Sequence, residues 1–138
     1  MISPDIASFL QQNHNGVLTT FRRNGAAQMS VITCGLIERG VAFSTTHQSA
    51  KFLNLRRDLR CTLLVSAPNW RTFVVLEGEA TIMSDDQTDP EELRLTLRDV
   101  YKAAAGKDHP DWNEYDRAMV LDKRVTVIVI PSHIYGRH

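Results

Sequence analysis

At 138 residues the chain has the length of one domain, read as 1–138, and can bury roughly two-thirds of its unfolded surface on folding. Hydrophobic residues are 43% and charged residues 23% of it, which excludes the disordered and low-complexity classes. Sixteen Lys+Arg offset sixteen Asp+Glu, so no overall field draws the protein to nucleic acid or to an anionic membrane, and any anion must be held by a local cluster.

Met1-Ile2-Ser3-Pro4-Asp5 lacks the basic start and long apolar run of a secretion signal, and the other apolar runs are strand-length. A cytoplasmic protein that spans no membrane is expected. Cys34 and Cys61 form no Cys-x-x-Cys pair and each sits in a strand-like apolar run, which predicts buried free thiols.

Ser3 as cap, Pro4 in the first turn and Ile6, Phe9 and Leu10 on one face predict an opening helix that stops near 13–16. The β-branched run 16–22, the turn dipeptide Asn24-Gly25 and the run 28–34 read as a hairpin, and Arg39-Gly40 turns into a third strand, 41–45. From Ser49 to Asp58 the spacing of Phe52 and Leu55 predicts a short amphipathic crossover helix. Strands follow at 61–65 and 72–83, the second interrupted around Glu77-Gly78-Glu79 by a bulge or bend. Asp89-Pro90-Glu91 opens a helix closed by Gly106 and Pro110, and Asp111 caps a second one through Tyr115 and Met119. The last strand, Val125 to Ile130 before Pro131, is apolar throughout and predicts burial on both faces. The expected fold is mainly β with α, a six-stranded antiparallel split barrel of Greek-key type with short crossover and flanking helices.

Nucleotide-loop, zincin and serine-nucleophile signatures are absent from the sequence, and the five histidines lack metal-ligand spacing. The informative segment is Phe43-Ser44-Thr45-Thr46-His47-Gln48-Ser49-Ala50-Lys51. It ends a strand in hydroxyls and starts a helix bearing a lysine, a combination of donors, helix dipole and point cation suited to phosphate. The window from Lys51 to Arg60 carries a net +3 in a neutral chain, so positive charge is concentrated there. A capped helix with a solvated basic face reads equally from these residues. Trp112, Tyr115 and Met119 at i, i+3 and i+7 read as a packed helix face, and Glu77 as a structural carboxylate beside a bend.

Together, the strand-hairpin-strand opening, Ser44-Thr45-Thr46 to Ser49-x-Lys51 with Leu55, Asp58 and Arg60, and Leu76-Glu77-Gly78-Glu79-Ala80 resemble the pyridoxamine 5′-phosphate oxidase-like flavin-binding split β-barrel over nearly the whole chain. Asn54 to Arg60, Asp111 to Tyr115, Ala118 to Val125 and Ser132-His133-Ile134-Tyr135-Gly136 are similar to its branch that uses the deazaflavin coenzyme F420. The resemblance implies a homodimer with two cofactor clefts at the subunit interface. It implies tail-binding roles for Ser44, Thr45, Ser49 and Lys51, and ring-lining roles for Gln28, Ser30, Val31 and Ile32. Trp70 and Arg71 are further candidates, reaching from the other subunit, and Arg56 and Arg57 are placed to meet an acidic polyglutamate tail. The implied activity is hydride transfer from reduced F420 to a small electron-poor acceptor. FMN is the alternative cofactor, because Ser49-Ala50-Lys51 also looks like the phosphate segment of FMN-binding relatives, and non-catalytic binding of a flavin-like or tetrapyrrole ligand is a third reading. The chain ends at Tyr135-Gly136-Arg137-His138 without the arginine-rich C-terminal signature of the true vitamin oxidase.

Overall fold

Helix α1 (Pro4–Gln12) starts where Ser3 Oγ accepts the Ile6 N–H at 3.3 Å, and its Leu10 is fully buried. The computed structural model describes residues 2–138. Strands β1 (Asn15–Phe21) and β2 (Ala27–Thr33) form the expected hairpin, turned at Gly25 with φ +84°, a left-handed conformation in which glycine carries no Cβ penalty. The order continues with β3 (Gly35–Ile37), β4 (Gly40–Thr46), α2 (Ala50–Arg57), β5 (Arg60–Ser66) and β6 (Phe73–Met83). Helices α3 (Pro90–Ala105) and α4 (Trp112–Leu121) then lead into β7 (Arg124–Arg137). Asp89 and Asp111 cap the two helices through the N–H groups of Glu92 and Glu114, and Gly106 ends α3 at φ +73°.

All the pairings are antiparallel, in the order β2-β1-β5-β6-β7-β4-β3. The structure has seven strands where six are expected. The added one, β3, is three residues long and follows β2 after Cys34 alone, too short to leave a periodic signal. It also closes the fold. The two edges of the sheet, β2 and β3, are successive parts of one extended segment that leaves β1 at Cys34 and takes up β4, so the sheet curls into a split half-barrel.

Alternation along β4 and β7 explains why the last strand is apolar throughout. Val41, Phe43, Val125, Val127 and Val129 point into the barrel with Leu18, Leu63, Leu76 and Phe52. Ala42 and Ile128 point outward, under Leu93, Leu97 and Val100 of α3 and Tyr115 of α4. Strand β7 runs seven residues beyond Ile130, its expected end. Pro131, which has no N–H, is tolerated because the register between β6 and β7 shifts there, Gly78 facing Pro131 and Glu77 facing His133. Ser132 is the extra residue, its hydroxyl donating to the Glu77 carbonyl at 3.2 Å. A Cβ on Gly78 would lie 2.1 Å from the Ile130 carbonyl oxygen, which is why glycine occupies the bend. The Glu77 carboxylate itself lies 4.0 Å from His133 at the surface.

Both cysteines are free and buried, and burial pushes each thiol up to about 12. Among the described residues no helix is long and apolar enough to cross a membrane.

Candidate functional site

Between β4 and α2 the chain turns in three residues. Thr45 Oγ1 donates to Ser49 Oγ at 2.9 Å, and Ser49 Oγ in turn accepts the Phe52 N–H at 3.3 Å as the cap of α2. These hydrogen bonds build the turn. The Ser44 hydroxyl, on the opposite face of β4 from Thr45, makes no hydrogen bond among the described residues, and Lys51 has no carboxylate within 4 Å among them. Helix α2 is fixed to the barrel by the fully buried Phe52 and Leu55 and by Asn54 Nδ2 donating to Thr20 Oγ1 at 3.1 Å, so Lys51 stands on a rigid base.

A cavity of about 640 Å³ opens beside this turn, within the usual size of small-molecule and cofactor sites. The segment Val31–Thr33, where β2 is about to leave the hairpin, forms one side; Ser44, Thr45 and Lys51 form one end. The facing wall comes from α3 and α4: Tyr101, Ala104 and Ala105 on one helix, Tyr115, Ala118 and Met119 on the other. His109, Glu114, Val100 and Arg124 complete it. Tyr115 donates its hydroxyl to the Leu97 carbonyl at 2.9 Å, and burial pushes the phenol up to about 12, so it stays a neutral wall. The Asp111 N–H donates to His109 Nδ1 at 3.0 Å, which leaves Nε2 as the protonated nitrogen of the neutral ring. That ring packs 5.1 Å from Tyr101 at 66° and 5.3 Å from Tyr115 at 45°, an edge-to-face and tilted aromatic cluster.

The structure thus gathers Val31, Ile32, Ser44, Thr45 and Lys51 from the residues singled out in the sequence. Ser49 is spent as a cap. Gln28, whose side-chain oxygen accepts from Arg22 at 3.2 Å, and Ser30 lie further along β2, while Trp70 and Arg71 lie on the exposed β5–β6 loop; none of the four lines the cavity within one chain. Ile32 points into the barrel core, whereas Val31, 84% exposed, points out on the other face of β2. Arg56 is already engaged, its guanidinium 2.5 Å from Asp86 and 2.8 Å from His47 Nε2. Hydrogen bonds from Ser84 and Arg56 hold the Asp86 carboxyl down at about 2. His47, Asp85 and Asp86 do bring ligand-type atoms within 4.8 Å of one another, but Arg56 supplies their positive charge. Arg57 is used on Asn54 at 2.6 Å.

The α3–α4 wall was not legible as part of a site. A helix face at i, i+3, i+7 packs a core and walls a cavity with the same periodicity. The available signal is size: Ala104, Ala105 and Ala118 face the sheet where a filled core would hold larger side chains.

The family model described as pyridoxamine 5′-phosphate oxidase matches residues 2–136, nearly the whole chain. The chain belongs to that family. It is a family of flavin-binding proteins that includes oxidoreductases. Among solved structures, a conserved hypothetical protein of Mycobacterium tuberculosis is 25% identical, with a TM-score of 0.80 over 99% of this chain and 84% of that one. An F420 reductase is 20% identical, TM-score 0.63, covering 93% of this chain and 94% of the other. A heme storage protein from Vibrio cholerae is 12% identical, TM-score 0.70, with 98% and 94% covered. These likenesses are of fold.

The donor set fits a phosphorylated planar ligand. An unpaired lysine and an unbonded serine hydroxyl stand at one end, and apolar, aromatic and strand-backbone surfaces line the remainder.

Proposed function

We propose that the protein is an F420-dependent oxidoreductase that passes a hydride to an electron-poor carbon of a small organic acceptor. The observation that carries this reading is the cavity itself, in which Lys51 and Ser44 lie free at one end and the peptide edge of Val31–Thr33 faces the aromatic wall of His109 and Tyr101. Reduced deazaflavin would supply the hydride. The protein's own part is to bind, orient and dry the site: Lys51 and Ser44 hold a phosphoryl tail by charge-assisted hydrogen bonds, while α3 and α4 exclude water from one face of the ring. No protein nucleophile is required, because the cofactor carries the difficult chemistry. The similarity of residues 54–60, 111–115, 118–125 and 132–136 to the F420-using branch supports the deazaflavin, as does the fold likeness to an F420 reductase.

The reading includes a homodimer. Met29 and Val31 on the edge strand β2 are 68% and 84% exposed, an apolar strip beside the cavity that a second copy would cover. The partner's Trp70 and Arg71 loop, exposed here, would then reach the ring. FMN is the alternative cofactor, supported by family membership, and ligand storage without turnover is supported by the likeness to a heme storage protein.

Titration of the purified protein with F420, FMN and heme separates the three, followed by the return of the oxidised F420 absorbance when enone, quinone and nitroaromatic acceptors are added to the reduced cofactor. Sedimentation of the same sample at twice the chain mass is expected. Tight FMN binding with none of F420 would reverse the cofactor assignment, and binding without turnover of any acceptor would favour storage. Lys51→Ala should weaken cofactor binding by about 1–3 kcal/mol, the scale of a lost charge-assisted hydrogen bond, and leave the unfolding midpoint nearly unchanged because Lys51 has no partner in the fold. Equal affinity of the variant and the parent would remove Lys51 from the tail site.

A further inference from the structure

Beneath α3 and α4 the outer face of β4 and β7 should be apolar, and Ala42 and Ile128 satisfy that expectation. The next two steps along the same face do not. Ser44 stands opposite Thr126 and Thr46 opposite Arg124, so three hydroxyls and a guanidinium form a polar strip continuing an apolar floor. Thr126 is fully buried and its Oγ1 has no hydrogen-bond partner among the described residues; Arg124 Nε is likewise buried and unpartnered. Buried polar atoms are normally paired, so the unpartnered Thr126 Oγ1 and Arg124 Nε make this strip an unfinished network.

Neighbouring carboxylates do not complete it. Asp116 is held by Arg98 at 2.5 Å and Arg94 at 3.1 Å, and Asp85 lies beside His47 at 3.7 Å. No carboxylate comes within 4 Å of Arg124 among the described residues. Within the cavity the exposed Glu114 is the lone acid against Lys51 and Arg124.

We infer that Arg124, half-buried with its Nε unpartnered, is the anchor for a phosphoryl group in this cavity, acting with Lys51 and Ser44. A guanidinium donates two or more parallel hydrogen bonds to phosphoryl oxygens, a geometry a lysine does not offer, and those oxygens also supply the acceptor that Arg124 Nε lacks. Position matters here. Arg124 is the first residue of β7 and pairs in register with Thr46 on β4, so the strand ladder fixes its Cα against the turn that carries Lys51. The inference rests on the proposed cofactor reading for what the phosphoryl group is attached to, but the anion site itself is argued from Arg124 Nε together with Lys51 and Ser44, which line the same cavity.

The test compares the parent with Arg124→Met and Arg124→Lys. Affinities for FMN and F420 are measured by fluorescence, each beside its ring compound lacking the phosphorylated tail. Melting temperatures are taken with and without inorganic pyrophosphate. For whichever flavin the parent binds, Arg124→Met should lose roughly 10- to 100-fold in affinity while binding of the tailless ring is unchanged, and Arg124→Lys should recover part of the loss. The ligand-free Arg124→Met protein should melt at or near the parent, since the half-buried guanidinium makes no hydrogen bond or ion pair among the described residues and its buried Nε has no partner to lose. A structural role predicts the opposite, a lower melting temperature with equal loss for tailed and tailless ligands, and that result overturns the assignment. If neither flavin binds the parent but pyrophosphate raises its melting temperature in an Arg124-dependent way, the anchor stands and the cofactor reading falls. If no phosphorylated probe distinguishes the parent from Arg124→Met, the anchor falls.

Discussion

Phe52→Ala should destabilise the protein by about 3–5 kcal/mol, the cost of removing a large ring from a close-packed core. Phe52 has no exposed surface and packs in the barrel interior with Leu55, Leu63 and Val125. It is the main anchor of α2, a helix of eight residues that could not persist alone in water. Its N–H is also the one that Ser49 caps. Losing the ring therefore loosens the helix that carries Lys51, and cofactor affinity should fall along with stability. Urea unfolding with a matched slope measures the first effect, and titration below the transition measures the second. A loss under about 1 kcal/mol would mean that α2 is held by Leu55 and the Asn54–Thr20 bond instead. Phe52→Leu, which keeps most of the volume, should lie between the variant and the parent.

How much of this was legible in the sequence depends on the length over which a signal repeats. The residues Ser3, Asp89 and Asp111 each state their helix start, because a side-chain acceptor there meets a free N–H that any helix must leave. The continuous apolar run of β7 states burial on both faces, and two clusters of core residues bear that out. By contrast β3 is too short to repeat, and the extension of β7 past Pro131 depends on a bulge opposite Gly78 that only the paired strand defines. The phosphate-like turn could be read because its residues are adjacent in sequence. Arg124 and Thr126 could not, since what makes them unusual is the register that sets them against Thr46 and Ser44, about eighty positions earlier.

Gly35→Ala should cost roughly 3 kcal/mol or more, the upper end of the range for overpacking, because the obstacle is backbone. A Cβ at that position would lie 2.3 Å from the carbonyl carbon of Ala103 and 2.5 Å from its oxygen and from the amide nitrogen of Ala104. No rotamer relieves such a contact; the last turn of α3 or the strand must move. The consequence reaches the cavity directly, since Ala104 and Ala105 on that turn form its wall and Gly35 begins the strand by which the barrel closes. Two measurements check the prediction. Unfolding should report the loss of stability, and amide exchange should show protection lost first in the C-terminal turn of α3, with the barrel strands protected until global unfolding. Gly25→Ala provides the contrast: its Cβ meets nothing within 4 Å, so its smaller cost comes from the left-handed backbone alone. If Gly35→Ala proved as mild as Gly25→Ala, α3 would be free to shift on the sheet, and the aromatic wall it carries would be a movable flap over the cavity.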